Sequence, residues 1–284
     1  MDIKLVLLMC GKQAASFKHP CPYCTGSAPW TKESESMTIN LLWNFYDGYV
    51  KSGSKKKNAV KYNNVINKPL ITNDDGSCKI LSKVNFPELH IMTGIVGKLV
   101  KEIELKAFPT TQEGTEFMNN WMESVNVSQT VYHGSASFVE DMAKLLLLKT
   151  DSLAQRAKDT LDTEIYHKVL PFVKTLEQFN FVRETCFGQE LLPGYKDAVK
   201  EFSKQYRSLG ISIPPKVHIV ESHLIEFLED KGEEHGAGYW SEQAMELCHK
   251  DFRNEWEPNK VPQKHSDYGR KLLNTIVRYN GKHI

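Results

Sequence analysis

Eleven stretches of this chain repeat their apolar residues at the three- and four-residue spacing of a helix, and almost none alternates them at the spacing of a half-buried strand. That pattern commits the chain to a mainly α fold. The stretches are residues 3–13, 37–50, 89–106, 113–125, 138–149, 152–160, 164–184, 195–209, 218–230, 242–256 and 268–279. Short extended pieces are expected near 65–72 and 79–84. Gly53-Ser54, Asn73-Asp74-Asp75-Gly76, Pro193-Gly194 and Pro214-Pro215 punctuate the pattern.

A chain of 284 residues, 40% apolar and 25% charged, can bury a large core, which excludes bulk disorder and a stapled mini-protein. Its longest purely apolar run, residues 5–10, is far short of the ~20 needed to cross a bilayer. No secretory pattern opens the sequence, so the expectation is a soluble intracellular protein with no membrane partner. The net charge of +1 conceals local asymmetry. Lys51, Lys55, Lys56, Lys57 and Lys61 crowd one acid-free stretch, and residues 260–284 hold six Lys/Arg, among them Arg270, Lys271 and Arg278, against one acid, Asp267. Each block reads either as a solvated face or as a phosphate-binding surface.

Six cysteines without a secretory signal do not make a disulfide framework. Cys10 and Cys248 sit at helical spacing among apolar residues and are expected in the core. Cys21 and Cys24, in His19-Pro20-Cys21-Pro22-Tyr23-Cys24, form the one local pair. Two thiolates so spaced can meet one tetrahedral metal, and the prolines stiffen the turn. A redox pair would need a thioredoxin-like βαβ context, which is not found, and two ordinary cysteines remain an alternative. A zinc site requires two more ligands, and His218-x4-His223, just after Pro214-Pro215, offers them. Five helical residues turn about 500°, so the two imidazoles can converge only if His218 stands at the helix entrance.

Two acids stand above apolar stripes. Asp2 precedes Leu5 and Val6 by three and four residues, and Glu242 precedes Met245 by three on a stripe that continues through Cys248, Phe252 and Trp256. Judged by position alone, both are end effects, favourable in a first helical turn.

A resemblance assigns them more. Asp2-Ile3-Lys4-Leu5, Gly11, Gln13 and Cys21-x-x-Cys24 resemble the second-aspartate block of DDE transposases with an RNase H-like core, most nearly the Transib-type transposases, the V(D)J recombinase catalytic subunit and transposon-derived proteins of animal genomes. Pro87-Glu88-Leu89-His90-Ile91 with Gly94-Ile95-Val96 looks like the start of that group's helical insertion. Lys216-Val217-His218, Ser222-His223-Leu224 and Ser241-Glu242-Gln243-Ala244 with His249-Lys250-Asp251-Phe252 look like its zinc-histidine and final-glutamate block.

The resemblance implies that Asp2 and Glu242 are catalytic acids binding Mg²⁺ or Mn²⁺ for DNA strand cleavage and transfer, and that Cys21, Cys24, His218 and His223 hold a structural Zn²⁺. It implies three parts: residues 1–30 with the second acid and the cysteine knuckle, a helical insertion over 31–212, and residues 213–284 with the histidines, the final glutamate and a basic helix. The fold expected is therefore mainly α, a helical insertion plus the C-terminal helices of an RNase H-like α/β core whose central sheet is largely missing. The group's first aspartate lies upstream of the second, and only Met1 precedes Asp2 in this sequence. The expectation is accordingly a nuclear, DNA-binding fragment, inactive alone, that contacts phosphates through Lys55, Lys56, Lys57, Lys61, Arg270, Lys271 and Arg278, with a missing N-terminal half or a second copy as partner. The alternatives are a non-enzymatic zinc-stabilised helical interaction module and an unrelated all-α scaffold without metal.

Overall fold

The computed structural model describes residues 3–14, 17–30, 34–72, 75–132, 135–240, 251–262 and 264–283. They belong to two compact units, Met1–Trp240 and Ser241–Ile284. The protein is mainly helical, as the periodicity requires. Among the described residues the only strands are β1 (Thr130–Tyr132) and β2 (Ser135–Ser137), an antiparallel hairpin with Thr130 opposite Ser137.

The first unit is organised around α4 (Glu88–Lys106). Ile91, Met92, Ile95, Val96, Leu99, Val100 and Ile103 are all buried, a stripe too wide for one neighbour. Four helices share it: α5 (Thr111–Ser124), α6 (Glu140–Leu148), α8 (Thr163–Cys186) and α10 (Pro215–Asp230). Gly114 sets how closely α5 crosses α4, since a Cβ there would stand 2.3 Å from the Glu104 carbonyl oxygen. Behind them, α7 (Thr150–Thr160) packs on α8, and α9 (Tyr195–Ser208) folds back along α8. On α9, Tyr195, Ala198, Val199, Phe202 and Tyr206 are buried, while Lys200, Glu201 and Lys204 stay exposed. This is the one-sided stripe of an outer helix.

Caps set several starts. Thr38 accepts a hydrogen bond from the Leu41 amide before α2 (Ile39–Lys51), as Thr110 does from Glu113 and Asp162 from Ile165. Pro215 occupies the first turn of α10, where a missing N–H removes no helical bond.

Three local expectations are corrected. Helix α1 (Ile3–Met9) stops short of residue 13 because Gly11 turns left-handed, φ 66°, with its Cα so near the Asn67 carbonyl that a Cβ would lie 2.1 Å from it. Residues 65–72 form no strand, contributing only an isolated bridge between Val65 and Lys12. The segment 79–84 is a helical turn, α3 (Ile80–Lys83), which turns Ile80 and Leu81 into the core. The β1–β2 hairpin was not anticipated, because its residues carry no apolar alternation.

In the second unit, residues 251–256 are helical and a last helix spans Tyr268–His283. Residues 241–250 lie outside the described residues, and with them Glu242 and Cys248. Asp2 lies outside them as well.

Candidate metal centre

The cysteine pair sits in a turn whose backbone is aimed at its own sulfurs. The Tyr23 amide donates to Cys21 Sγ (3.4 Å) and the Gly26 amide to Cys24 Sγ (3.3 Å), the arrangement that favours thiolates. Gly26 approaches so closely that a Cβ would stand 3.1 Å from Cys24 Sγ. The turn is pinned to the chain ahead of α2 by the Met37 amide on the Tyr23 carbonyl (2.8 Å) and a bridge between Cys24 and Ser36.

The histidines come from α10. His218 lies in its first turn, its amide bonding the Pro214 carbonyl at 3.1 Å, so the entrance expected from the spacing is where it stands. The two rings face each other edge to face, centroids 5.2 Å apart. Cys21 Sγ is 3.4 Å from His223 Nε2, and Cys24 Sγ is 3.4 Å from His218 Nε2. All four ligand atoms fall within 4.8 Å of one another, and all four residues are buried. Tetrahedral bonds of about 2.3 Å to sulfur and 2.0–2.1 Å to nitrogen place S and N about 3.5 Å apart. The donors are therefore spaced to hold one metal ion.

Outer contacts orient both imidazoles. His218 Nδ1 lies 3.3 Å from Ser222 Oγ, and the Trp30 indole stacks on the ring at 3.7 Å while its Nε1–H donates to the Ile213 carbonyl at 2.8 Å. His223 Nδ1 is buried without a hydrogen-bond partner, and Glu226 Oε2 stands 3.7 Å away. Glu226 is itself held by Lys79 Nζ at 2.5 Å and Ser36 Oγ at 3.5 Å. Its carboxyl is pushed down to about 2, by His223 first and then by Lys79. Tyr23 packs edge-on against His223, centroids 5.6 Å apart.

The two thiols are electrostatically unequal. Burial pushes the Cys21 thiol well up, whereas Cys24 is driven down by hydrogen bonds from Cys21 and from the two imidazoles. Beneath the turn, Lys12 is buried with Nζ on the Cys21 carbonyl (2.7 Å) and on Asn63 Oδ1, and burial pushes its pKa down to about 8. His19 is no ligand; its Nδ1 faces the Thr25 and Gly26 carbonyls at 3.0 and 3.3 Å.

The structure thus brings together Cys21, Cys24, His218 and His223 across nearly the full length of the first unit. Lys51, Lys55, Lys56, Lys57 and Lys61 are all exposed, the last three on a 3-10 turn, Lys56–Tyr62. Arg270 and Arg278 are exposed on the last helix, where Lys271 is half-buried and Arg270 pairs with Asp267 at 3.1 Å. The lysine turn is attached to the cysteine turn. Asn63 and Asn64, both left-handed, bond it there: Asn63 Nδ2 donates to the Thr25 carbonyl (3.1 Å) and Asn64 Oδ1 accepts from the His19 amide (3.1 Å). Sequence reasoning missed Trp30, Lys12, Asn63, Asn64, Ser222 and Glu226. Ser222 and Glu226 were findable, at four residues after His218 and three after His223, the spacing of helical neighbours. Among the described residues no disulfide forms, and no helix is long and apolar enough to cross a membrane. No protein-family model and no curated protein matches the sequence.

Proposed function

We propose that the chain is a transposon-derived, DNA-binding protein of the DDE transposase type, in which a Zn²⁺ held by Cys21, Cys24, His218 and His223 closes a helical insertion at its base. The observation that carries the proposal is the meeting of two ligand pairs about 200 residues apart, in the order knuckle, helical body, histidines that the resemblance implies. Two thiolates and two imidazoles at tetrahedral spacing match zinc better than a harder ion. Four protein ligands leave no position for water, so the ion's contribution is a cross-link and folding energy rather than chemistry. Under this proposal α1 and α10 derive from an RNase H-like core, and Asp2 and Glu242 are its Mg²⁺- or Mn²⁺-binding acids. The exposed lysine turn, bonded to the metal-binding turn, contacts DNA phosphates, and the protein works in the nucleus. The buried, saturated character of the cluster equally suits a zinc-stabilised interaction module, which would not bind DNA.

The test is elemental analysis of the purified chain together with DNA binding over a salt series. One zinc per chain and an affinity that falls steeply with salt support the transposase-type reading. One zinc without DNA binding selects the interaction module, and absence of zinc from the chain and from a Cys24→Ser control alike removes both.

A further inference from the structure

Away from the metal cluster, a cavity of about 400 Å³ opens between the first turn of α4, α6 and the C-terminal end of α8. Leu89, Met92, Phe187 and Leu192 supply apolar walls, and Glu88, Lys144, Arg183 and Glu184 supply charge. The charged groups are unequal. Lys144 is neutralised by Glu140 at 2.5 Å, and Arg183 by Glu184 at 3.0 Å, with its Nε on Asn180 Oδ1 at 2.9 Å. Glu88 is 6% exposed, and its buried Oε2 receives no hydrogen bond. Once the pairs are set aside, the cavity lining holds one carboxyl, that of Glu88, with no hydrogen-bonded cation among the described residues, although the Lys144 charge also acts on it.

We propose that this cavity binds a primary ammonium group carried on an apolar body, of the size of an arylalkylamine. A lone carboxylate out of water is costly unless a cation or a set of donors meets it. An ammonium supplies both, with three N–H donors on a compact charge. The walls then take the apolar body, and the volume lies in the range of small-molecule sites. An anionic ligand would meet the unpaired carboxylate, and a neutral apolar one would leave Oε2 without a donor. Burial first and Glu140 second raise the pKa of Glu88 to about 7, against the opposing charges of Lys144 and the amino terminus, so these cations do not offset the burial of its carboxyl. A free amine and the apolar N-terminus of a peptide present the same chemistry. The site is independent of the metal reading, since none of its residues belongs to the cluster.

The experiment is calorimetric titration of the full chain at about pH 8, where Glu88 carries its charge. Phenethylamine and the tripeptide Phe-Gly-Gly are compared with their N-acetylated forms and with 3-phenylpropionate. Saturable binding of phenethylamine, of the tripeptide or of both is expected, the tripeptide arm telling a peptide terminus from a free amine. Acetylation should weaken binding about 10- to 100-fold, the worth of a charge-assisted hydrogen bond. Glu88→Gln should lose as much while its melting temperature is no lower than the parent's, and Leu192→Trp, at a half-exposed wall position, should block entry. No saturable binding up to about 10 mM, equal binding of the acetylated forms, or an unaltered affinity in Glu88→Gln would overturn the proposal.

Discussion

Five positions separate His218 from His223, too many for one helical face, yet both present Nε2 to the cysteines because the first stands in the opening turn of α10; Ser222 Oγ meets the far nitrogen of His218 at 3.3 Å, and the Glu226 carboxylate faces that of His223 at 3.7 Å. Outer contacts of this kind fix ring orientation and tautomer and are commonly worth 10–100-fold in metal affinity. Glu226→Gln should therefore weaken zinc binding by about that factor in competition with a chromophoric chelator, while the melting temperature at saturating zinc stays near the parent value; an unchanged affinity would make Glu226 only a surface partner of Lys79. A second residue-scale effect belongs to Glu88. Its pKa stands near 7 in the folded protein against an ordinary 4.5, so between those values the folded state holds a proton that the unfolded state has released. Stability at this site is thus full below about pH 4.5 and is lost as pH rises through 7. Glu88→Gln, which cannot ionise, should flatten that fall and be more stable than the parent at pH 8 by about 1–3 kcal/mol. Denaturation at pH 5 and pH 8 measures it, and a parallel loss in both proteins would refute the assignment.

At the scale of elements, the lysine turn Lys56–Tyr62 is the part whose role depends most on attachment. Its lysines point to solvent, while Asn63 and Asn64 fasten its end to the cysteine turn through the Thr25 carbonyl and the His19 amide. Asparagine tolerates the left-handed backbone both positions require, φ 52° and 60°, better than a branched residue would. If the turn binds phosphates, replacing Lys55, Lys56 and Lys57 together with Ala should reduce the slope of log K against log salt by about 2–3, at about 0.9 per lost contact. An unchanged slope would leave the block a solvated surface. The other elements show what periodicity does and does not settle. α4, α9 and α10 lie within a few residues of their expected limits because their stripes span several turns. α3 departs from the extended piece expected there because four residues are too few to display a period.

For the whole molecule, the cluster joins positions 194 and 202 residues apart in its two cysteine–histidine contacts of 3.4 Å. A cross-link closing so long a loop removes much freedom from the unfolded chain, about 5 kcal/mol by the chain-entropy model used for disulfides. In a protein of this size that corresponds to a fall of roughly 10–20 °C in melting temperature when the link is cut. Both a strong chelator and Cys24→Ser should produce it, and the two treatments together should do no more than either alone. A chelator that leaves the parent's melting curve unmoved would show that the four donors hold no stabilising ion. The surrounding core is a separate reserve: Trp121, wholly buried on α5 with its indole N–H on Ser152 Oγ at 3.4 Å, should cost about 3–5 kcal/mol on replacement by Ala whether or not metal is bound.

The sequence by itself determined the helices and the ligand types. Apolar spacing is a local property that survives in one dimension, and Cys-x-x-Cys after two prolines or His-x4-His after a Pro-Pro pair advertises its geometry within a single turn. Tertiary structure alone decided that these two pairs meet, that Trp30 stacks on His218, that Lys12 lies buried beneath the knuckle, and that Glu88 Oε2 is buried at a cavity without a hydrogen bond. Most of those facts depend on residues dozens to hundreds of positions apart being brought within a few ångströms by the packing of the chain. Burial and charge compensation are properties of that assembled neighbourhood, and no local pattern encodes which distant group will complete it.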